Sequence, residues 1–284
     1  MPELPEVETV RRILEPQLAG RTIEAVEIRH AGVIAHPDAE SFAAMLPKQR
    51  IARLSRRGKF LTLHFESGDR LVLHLRMTGQ LLAMPGGEPI EKHTHLIFTL
   101  SDGQQLRYID VRRFGRFWLL AKQEADTMTG QAGLGLEPTD PALTADYLKA
   151  KLGGRKTAIK EMLHDQTIVA GIGNIYSDEI LFAAGIFPAA PCDTLRDRDW
   201  EALAAKIPEI ILWGVNANQV TPEEYLRGGG KEYQNMPHLR VYGRFGQPCA
   251  VCRTRVEKMT IGGRTSCYCP ACQRKRDDDR NGNL

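Results

Sequence analysis

The sequence predicts an α+β protein that begins with a helix, continues as an antiparallel β-sandwich, passes into a helical domain and ends in a small cysteine-rich β-hairpin. Three observations predict this order. A helical apolar period opens the chain, short runs of β-branched and aromatic residues fill residues 22–120, and five of the six cysteines lie within residues 249–272. With 284 residues, 42% of them hydrophobic, the chain can build one large or two medium domains.

The first element is a predicted helix over residues 5–18, because Val7, Val10 and Leu14 fall on one face. The pattern then changes to short strand-like runs, several of them separated by glycine-containing turn pairs. We expect these runs to form a two-layer antiparallel sandwich, with strands at Thr22–Ile28, Phe60–Phe65, Arg70–Leu75, His95–Leu100 and Phe117–Leu120.

The second half of the chain predicts helices. Glycine and proline punctuate the stretch around 125–140, which is typical of a linker. Beyond it we expect helices near 144–152, 156–164, 174–184, 197–213 and 222–226. The predicted division is a β-sandwich domain at 1–125, a linker at 126–140, a helical domain at 141–239, a hairpin at 240–276 and a disordered tail at 277–284.

The formal net charge of +3 conceals two basic clusters. Residues 240–276 hold nine Lys and Arg against one acid, Glu257, and a second cluster without any acid comprises Arg50, Arg53, Arg56, Arg57 and Lys59. Such clusters indicate a polyanionic partner, with solvated surface as the alternative. No apolar run approaches the roughly 18 residues of a membrane span, and no secretory signal opens the chain. We therefore expect a cytoplasmic protein without a membrane partner, and a monomer.

The clustered cysteines predict a metal site. Four of them form two Cys-x2-Cys pairs separated by sixteen residues, namely Cys249, Cys252, Cys269 and Cys272. In a reducing cytosol this spacing favours a metal over disulfides, and four thiolates suit one structural Zn²⁺ with no open position for water. Cys192 and Cys267 are not expected to be ligands.

The residues after Met1 are a candidate catalytic site. Removal of Met1, which a small second residue permits, would leave Pro2 with a free secondary amine beside Glu3. Because an α-amino group has a pKa of about 8, part of it is neutral at pH 7 and can attack an electrophilic carbon to form an imine. A neighbouring carboxyl can move protons. The alternative is that Pro2 and Glu3 only start a helix.

Two further segments suit nucleic acid. Between the helices predicted in 156–184, Gly171 and Gly173 would let the backbone approach a phosphate at the helix start, Asn174, although such a turn also occurs for packing alone. A methionine, an arginine and an aromatic residue could together fill the gap left by an extruded base, although each alone is ordinary: Met77, Arg112 and Phe114.

Nine segments in order along the chain carry a family resemblance: MPELPEVETVRR, SRRGKF, HLRMTG, KHTH, DVRRFG, RKTAIK, VAGIGNIYSDE, VYGR and the paired Cys-x2-Cys finger. Together they resemble the bacterial formamidopyrimidine-DNA glycosylase / endonuclease VIII family along nearly the whole length. The resemblance implies an N-terminal β-sandwich, a helix–two-turns–helix domain and a zinc finger, with double-stranded DNA in a cleft.

The resemblance also implies roles for particular residues. Pro2 would be the Schiff-base nucleophile at C1′ of the damaged nucleotide, and Glu3 would protonate the sugar ring oxygen. Lys59 would transfer a proton in β-elimination, and Arg264 would contact phosphate and serve δ-elimination. Matched DNA contacts are His93, Arg112, Arg155, Asn174 and Tyr242. The matched void-filling residues are Met77, Arg112 and Phe114.

The implied activity is that of a bifunctional DNA glycosylase and AP lyase of base excision repair, acting on oxidised purines such as 8-oxoguanine and formamidopyrimidines, near the nucleoid of a bacterium. Three departures leave other readings open. Residues 216–237 lack the Gly-Gly-Thr-Thr stretch usual in oxidised-purine members, residues 256–260 look closer to the endonuclease VIII branch, and Val111 replaces a usual proline. An oxidised-pyrimidine glycosylase, or a non-catalytic zinc-finger DNA-binding protein, are the alternatives.

Overall fold

A computed structural model describes residues 2–230 and 233–275. By their contacts these residues form two compact units, one of residues 2–133 with 215–230 and 233–234, and the other of residues 134–214 with 235–275. The sequence-based domain boundaries follow continuous segments, whereas the contacts join residues 215–234 to the N-terminal unit. Those boundaries remain a prediction, and the predicted tail at 277–284 lies outside the described residues.

The first unit contains helices α1 (Leu4–Leu18), α2 (Ala39–Met45) and α7 (Pro222–Arg227), together with nine strands. The strands are β1 (Ile23–Ile28), β2 (Ile34–His36), β3 (Ile51–Arg57), β4 (Phe60–Phe65), β5 (Arg70–His74), β6 (Gly79–Pro85), β7 (Thr94–Leu100), β8 (Gln104–Asp110) and β9 (Arg116–Leu120). They form one sheet in the order β1-β7-β8-β6 and another in the order β2-β9-β5-β4-β3.

The α+β class is confirmed, with one correction to the strand directions. Strands β2 and β9 pair in parallel, whereas the other pairs in these two sheets are antiparallel. Antiparallel neighbours are usually joined by a short turn, but β2 and β9 are separated by six intervening strands, so no turn dictates their direction.

Helix α1 supplies one side of the core of this unit. Val7, Val10 and Leu14 are at most 1% exposed and pack among the buried side chains of the sheets. Burying each such side chain contributes roughly 1.5–3 kcal/mol. The strand-like runs named from the sequence do not include β2, β3, β6 or β8. In β6 the residues from Gly79 to Met84 are all buried.

The second unit contains α3 (Ala145–Leu152), α4 (Ile159–Leu163), α5 (Asn174–Ala183) and most of α6 (Asp197–Ala217), followed by the hairpin of β10 (Glu257–Ile261) and β11 (Arg264–Tyr268). All these helices lie where the apolar period predicts them, and α6 extends four residues further, to Ala217. Across residues 2–230 and 233–275, no helix combines the length and the apolar character needed to cross a membrane.

Candidate catalytic site and nucleic-acid interface

Pro2 and Glu3 lie at the start of α1. Pro2 is buried, and Glu3 is the extended N-cap residue of the helix, only 1% exposed. The backbone N–H of Glu3 donates to Oε2 of Glu6 at 2.9 Å, and the two residues form a capping box. Nδ2 of Asn218 donates to the other oxygen of Glu6 at 3.4 Å. The helix cap therefore orients the first residues, and capping is compatible with a chemical role for them.

Lys59 lies in the tight turn between β3 and β4. Arg57 pairs with Phe60, which leaves Gly58 and Lys59 as a two-residue turn. Gly58 has φ +54°, as the first central residue of such a hairpin turn requires. Nη1 of Arg56 donates to the carbonyl of Gly58 at 3.1 Å, so a side chain stabilises the turn that presents the lysine.

The basic cluster at 50–59 is partly neutralised within its own unit. Nε of Arg56 lies 3.3 Å from a carboxylate oxygen of Glu8 on α1, and Nε of Arg50 lies 3.3 Å from Glu66. Burial opposes ionisation of Glu8, but Arg11, Arg12 and Arg56 lower its pKa overall. Arg56 therefore joins the Lys59 turn to helix α1 rather than serving as free surface charge.

His74 is a neighbour of Lys59 that sequence reasoning missed. It pairs with Phe60 across β4 and β5, with ring centroids 4.7 Å apart in an edge-to-face contact. Burial, followed by the charges of Arg76 and Lys59, lowers the pKa of His74 to about 3. Its Nδ1 accepts the N–H of Arg76 at 2.9 Å, so the neutral ring carries its proton on Nε2. A single histidine in a buried strand has no periodic signal that could have revealed it.

The structure brings the three predicted void-filling residues together. Met77 follows β5, and Arg112 and Phe114 follow β8; Met77 is 41% and Phe114 45% exposed. The guanidinium carbon of Arg112 lies 4.5 Å from the centre of the Phe114 ring. The N–H of Arg112 donates to Thr78 at 3.3 Å, so the two turns adjoin. We call the Arg76–Thr78 and Val111–Phe114 turns the wedge turns.

His93 lies at the base of the second wedge turn. Its carbonyl accepts the N–H of Asp110 at 3.0 Å, immediately before Val111. The predicted DNA contacts His93 and Arg112 are therefore neighbours in the structure.

Asn174 begins helix α5, as predicted, and contacts the hairpin. Its Nδ2 donates to the carbonyl of Thr265 at 3.0 Å, directly after Arg264. The glycine turn before it is less available than expected, because the N–H of Gly171 already donates to Oε1 of Gln166 at 2.9 Å. Gly171 has φ +91°, so glycine is needed there for the turn itself.

A buried ion pair fastens β11 to α5. Nζ of Lys160 lies 2.6 Å from Oδ1 of Asp178, and their side chains are 1% and 0% exposed. The same carboxylate accepts hydrogen bonds from the hydroxyl of Ser266 at 2.7 Å and from the backbone N–H of Cys267 at 2.8 Å. Lys160 also donates to the carbonyl of Thr265 at 3.1 Å. These contacts fix the strand that starts with the exposed Arg264.

A second buried carboxylate holds the segment that carries Tyr242. Glu179 on α5 accepts the backbone N–H groups of Arg240, Val241 and Tyr242, each at 2.9 Å. Burial raises the pKa of Glu179, and these three donors counteract the rise. Arg155 is exposed beyond α3, and its carbonyl accepts the N–H of Asp193.

The four paired cysteines converge on one point. Their sulfur atoms all lie within 4.8 Å of one another, with individual separations of 3.9, 3.4 and 3.5 Å. A tetrahedral site with Zn–S bonds of about 2.3 Å needs sulfurs about 3.8 Å apart, so this donor set fits zinc. Cys267 is outside the cluster because it belongs to β11 and its N–H binds Asp178, while Cys192 is buried elsewhere.

Three family descriptions match the chain. They are the formamidopyrimidine-DNA glycosylase N-terminal domain over residues 1–117, the formamidopyrimidine-DNA glycosylase H2TH domain over 134–224, and the zinc finger found in FPG and IleRS over 246–274.

Curated relatives and solved structures agree with this. A formamidopyrimidine-DNA glycosylase of Moorella thermoacetica is 46% identical over 91% of this chain and 94% of its own length, and one of Geobacillus kaustophilus is 44% identical over 96% and 100%. Lactococcus lactis Fpg bound to DNA containing an oxidised pyrimidine superimposes with TM-score 0.89 at 34% identity, over 96% of this chain and 100% of that one. The same protein with abasic-site DNA has TM-score 0.86 at 33% identity, over the same shares.

The fold and the cysteine cluster define a DNA-repair glycosylase with one structural zinc ion and DNA as its partner. The chain belongs to the formamidopyrimidine-DNA glycosylase family. The prediction of an enzyme of base excision repair is thereby confirmed.

Proposed function

We propose that this chain is a bifunctional DNA glycosylase and AP lyase that removes 8-oxoguanine and formamidopyrimidines from double-stranded DNA through the amine of Pro2. One observation carries the proposal: Pro2 is buried and directly precedes Glu3, the buried N-cap residue at the start of α1. A nucleophile must be held in place to react efficiently, and a frayed terminus would not achieve this.

In the proposed reaction, the neutral amine of Pro2 attacks C1′ and the N-glycosidic bond breaks, so that the base leaves. Glu3 protonates the ring oxygen, the sugar opens, and an iminium links Pro2 to C1′. The iminium acidifies the C2′ hydrogen, and its removal expels the 3′-phosphate. A second elimination expels the 5′-phosphate, and water then releases the enzyme.

Other residues serve this chemistry by position. We assign proton transfer in β-elimination to Lys59 and phosphate contact in δ-elimination to Arg264. Asn174 and Tyr242 are proposed phosphate contacts, and Arg155 is a proposed DNA contact. In the first unit, His93 and Arg112 are proposed to contact DNA, and the wedge turns would occupy the gap left by the everted nucleotide.

Borohydride trapping tests the nucleophile. Reduction of the imine should cross-link the enzyme to an 8-oxoguanine duplex, and peptide mapping should locate the attachment on residue 2 of a chain lacking Met1. Pro2→Gly should slow base excision by at least about a hundredfold, the usual scale for a misplaced reactive group, with duplex affinity retained. Attachment at any other residue would refute the proposal, and undiminished base excision with no trapped adduct would support a purely structural N-terminus.

An oxidised-pyrimidine preference is the second candidate. It is favoured by the missing Gly-Gly-Thr-Thr stretch in 216–237 and by the finger segment 256–260. Single-turnover excision from matched duplexes holding 8-oxoguanine or thymine glycol separates the two. Faster release of thymine glycol would replace the purine assignment while leaving the chemistry at Pro2 intact.

We also propose that the protein acts as a monomer on chromosomal DNA near the nucleoid. Light scattering of the free protein and of its trapped complex should give one chain in each case.

A further inference from the structure

Asp110 gathers donors from both wedge turns. Its Oδ1 accepts the hydroxyl of Thr78 and the N–H of Arg112, the latter at 3.1 Å. Its Oδ2 accepts the hydroxyl of Tyr108 at 2.8 Å and the N–H of Gly115 at 3.0 Å. Asp110 and Tyr108 are both 0% exposed. One buried carboxylate therefore binds the residue that follows Met77 and both ends of the turn that carries Phe114.

The backbone at the end of each wedge turn also packs closely against the Tyr108 hydroxyl. A Cβ added to Gly115 would lie 1.8 Å from this oxygen, and one added to Gly79 would lie 3.0 Å from it and 2.5 Å from the carbonyl of Leu75. The contacts at 1.8 Å and 2.5 Å are closer than side-chain carbons tolerate, and the one at 3.0 Å is tight. Gly115 is therefore needed because its backbone approaches the Tyr108 hydroxyl, whereas Gly79 is needed chiefly because its backbone approaches the carbonyl of Leu75.

The wedge turns do not have locally preferred conformations. Arg76 has φ +55° and Arg113 has φ +58°, values that residues other than glycine rarely adopt. Arg76 directly precedes Met77, and Arg113 directly precedes Phe114. Such conformations persist where the surroundings impose them, and the contacts to Asp110 and Tyr108 are those surroundings.

We propose that Tyr108 and Asp110 are positioning residues that hold Met77 and the Arg112–Phe114 pair in one fixed arrangement, so that they enter the duplex as a single preformed wedge. The inference rests on the proposed void-filling role of these three residues. Preformed contact residues bind without the cost of ordering them, and loss of the arrangement should slow nucleotide eversion rather than the chemistry.

Tyr108→Phe is the sharpest test, because it removes one oxygen and keeps the ring. Two measurements are compared: excision of 8-oxoguanine from duplex DNA, and cleavage at an abasic site in a single-stranded oligonucleotide, which leaves no void to fill. We expect duplex excision to slow about tenfold, the factor that corresponds to loss of about 1.4 kcal/mol from one hydrogen bond. Single-strand cleavage should change less than about twofold on the same energetic scale.

A 2-aminopurine beside the lesion should report slower eversion in the same variant. Thr78→Val, which removes the other hydroxyl bound by Asp110, should behave alike and guards against a folding defect peculiar to Tyr108→Phe. Tyr147→Phe is the matched control, because its hydroxyl donates to the carbonyl of Ile168 at 2.9 Å in the second unit. It should leave duplex excision unchanged.

A double-variant cycle separates this inference from the void-filling role itself. If Met77→Ala leaves duplex excision and eversion unchanged, the void-filling role fails. If Met77→Ala slows both and Tyr108→Phe slows neither, only the positioning inference fails. If Tyr108 and Met77 both act through the wedge, adding Tyr108→Phe to Met77→Ala should slow duplex excision only a little further. Simple additivity, or equal slowing of single-strand cleavage by Tyr108→Phe, would overturn the inference.

Discussion

Asp110, Asp178 and Glu179 are each no more than 2% exposed, and each accepts at least three hydrogen bonds. A buried carboxylate without donors would be strongly destabilising, so each is a point at which separate segments must meet. The segments they join carry the candidate functional residues Met77, Arg264 and Tyr242. At the residue scale, the site depends on acids that make no proposed contact with DNA.

Asp110→Asn should change the acid stability of the first unit. Burial alone would raise the pKa of Asp110, but hydrogen bonds from Gly115, Thr78, Tyr108 and Arg112 lower it below its ordinary value of 3.8. Because the folded pKa is the lower one, Asp110 contributes stability above the unfolded pKa, and that contribution is lost as the pH falls through the folded pKa. The variant should lose about 2 kcal/mol of its free energy of unfolding at pH 7. Its stability should also fall less steeply than that of the wild type as the pH is lowered.

Hydrogen exchange of amides in β8 and β9 between pH 7 and the acid range would measure this effect. Glu24→Gln is the control, because Glu24 is an exposed carboxylate on β1 in the same unit. If the stability of Asp110→Asn falls with decreasing pH as steeply as that of the wild type, Asp110 is not the source of this pH dependence.

The hairpin of β10 and β11 is too small to bury a core by itself, and two features stabilise it. The cysteine cluster closes its base around zinc, and Asp178 on α5 binds β11 through Ser266 and Cys267. At the scale of elements, α5 is therefore the common support, since it begins at Asn174 and also carries Glu179.

Lys160→Met should loosen this support. Without the ammonium, Asp178 remains buried without its opposite charge, and such a loss costs about 3–5 kcal/mol. We expect faster hydrogen exchange in β11 and easier removal of zinc by a chelator. Lys149→Met is the matched control, because its ion pair with Asp197 is exposed and should contribute nothing measurable. Equal behaviour of the two variants would show that the buried pair is not structurally important.

At the scale of the whole molecule, the candidate chemistry is divided between the two units. The first unit carries Pro2, Glu3, Lys59 and the wedge turns, and the second carries Arg155, Asn174, Tyr242, Arg264 and the zinc cluster. A phosphate-binding role for the second unit predicts an affinity that falls as salt rises, because each neutralised phosphate releases counterions.

Arg264→Ala should weaken duplex binding to damaged and undamaged DNA alike and reduce the slope of log K against log salt by about 0.9. Fluorescence anisotropy in the Pro2→Gly background measures binding while turnover is greatly slowed. Arg21→Ala is the control, because Arg21 is paired with Asp102 at 2.6 Å and should leave the slope unchanged. An unaltered slope in Arg264→Ala would remove this residue from the phosphate contacts.

Local patterns determined much of the fold from the sequence alone. The periodic spacing of apolar residues predicts α1 and helices α3 to α6. The spacing of the cysteines predicts the zinc site at Cys249, Cys252, Cys269 and Cys272. These signals arise between residues close in the chain, where period and spacing report structure directly. The family segments likewise indicate the enzyme class.

Only the tertiary structure decided the contacts that arrange the site. Thr78 and Asp110 are 32 positions apart, and Cys267 and Asp178 are 89 apart, so no local pattern relates them. For the same reason, the sequence does not reveal the contacts of His74 and Tyr108 or the parallel pairing of β2 with β9. The identity of an acidic residue does not show whether its carboxylate is buried or exposed. What distinguishes the two cases is the set of donors that the folded chain brings within hydrogen-bonding distance.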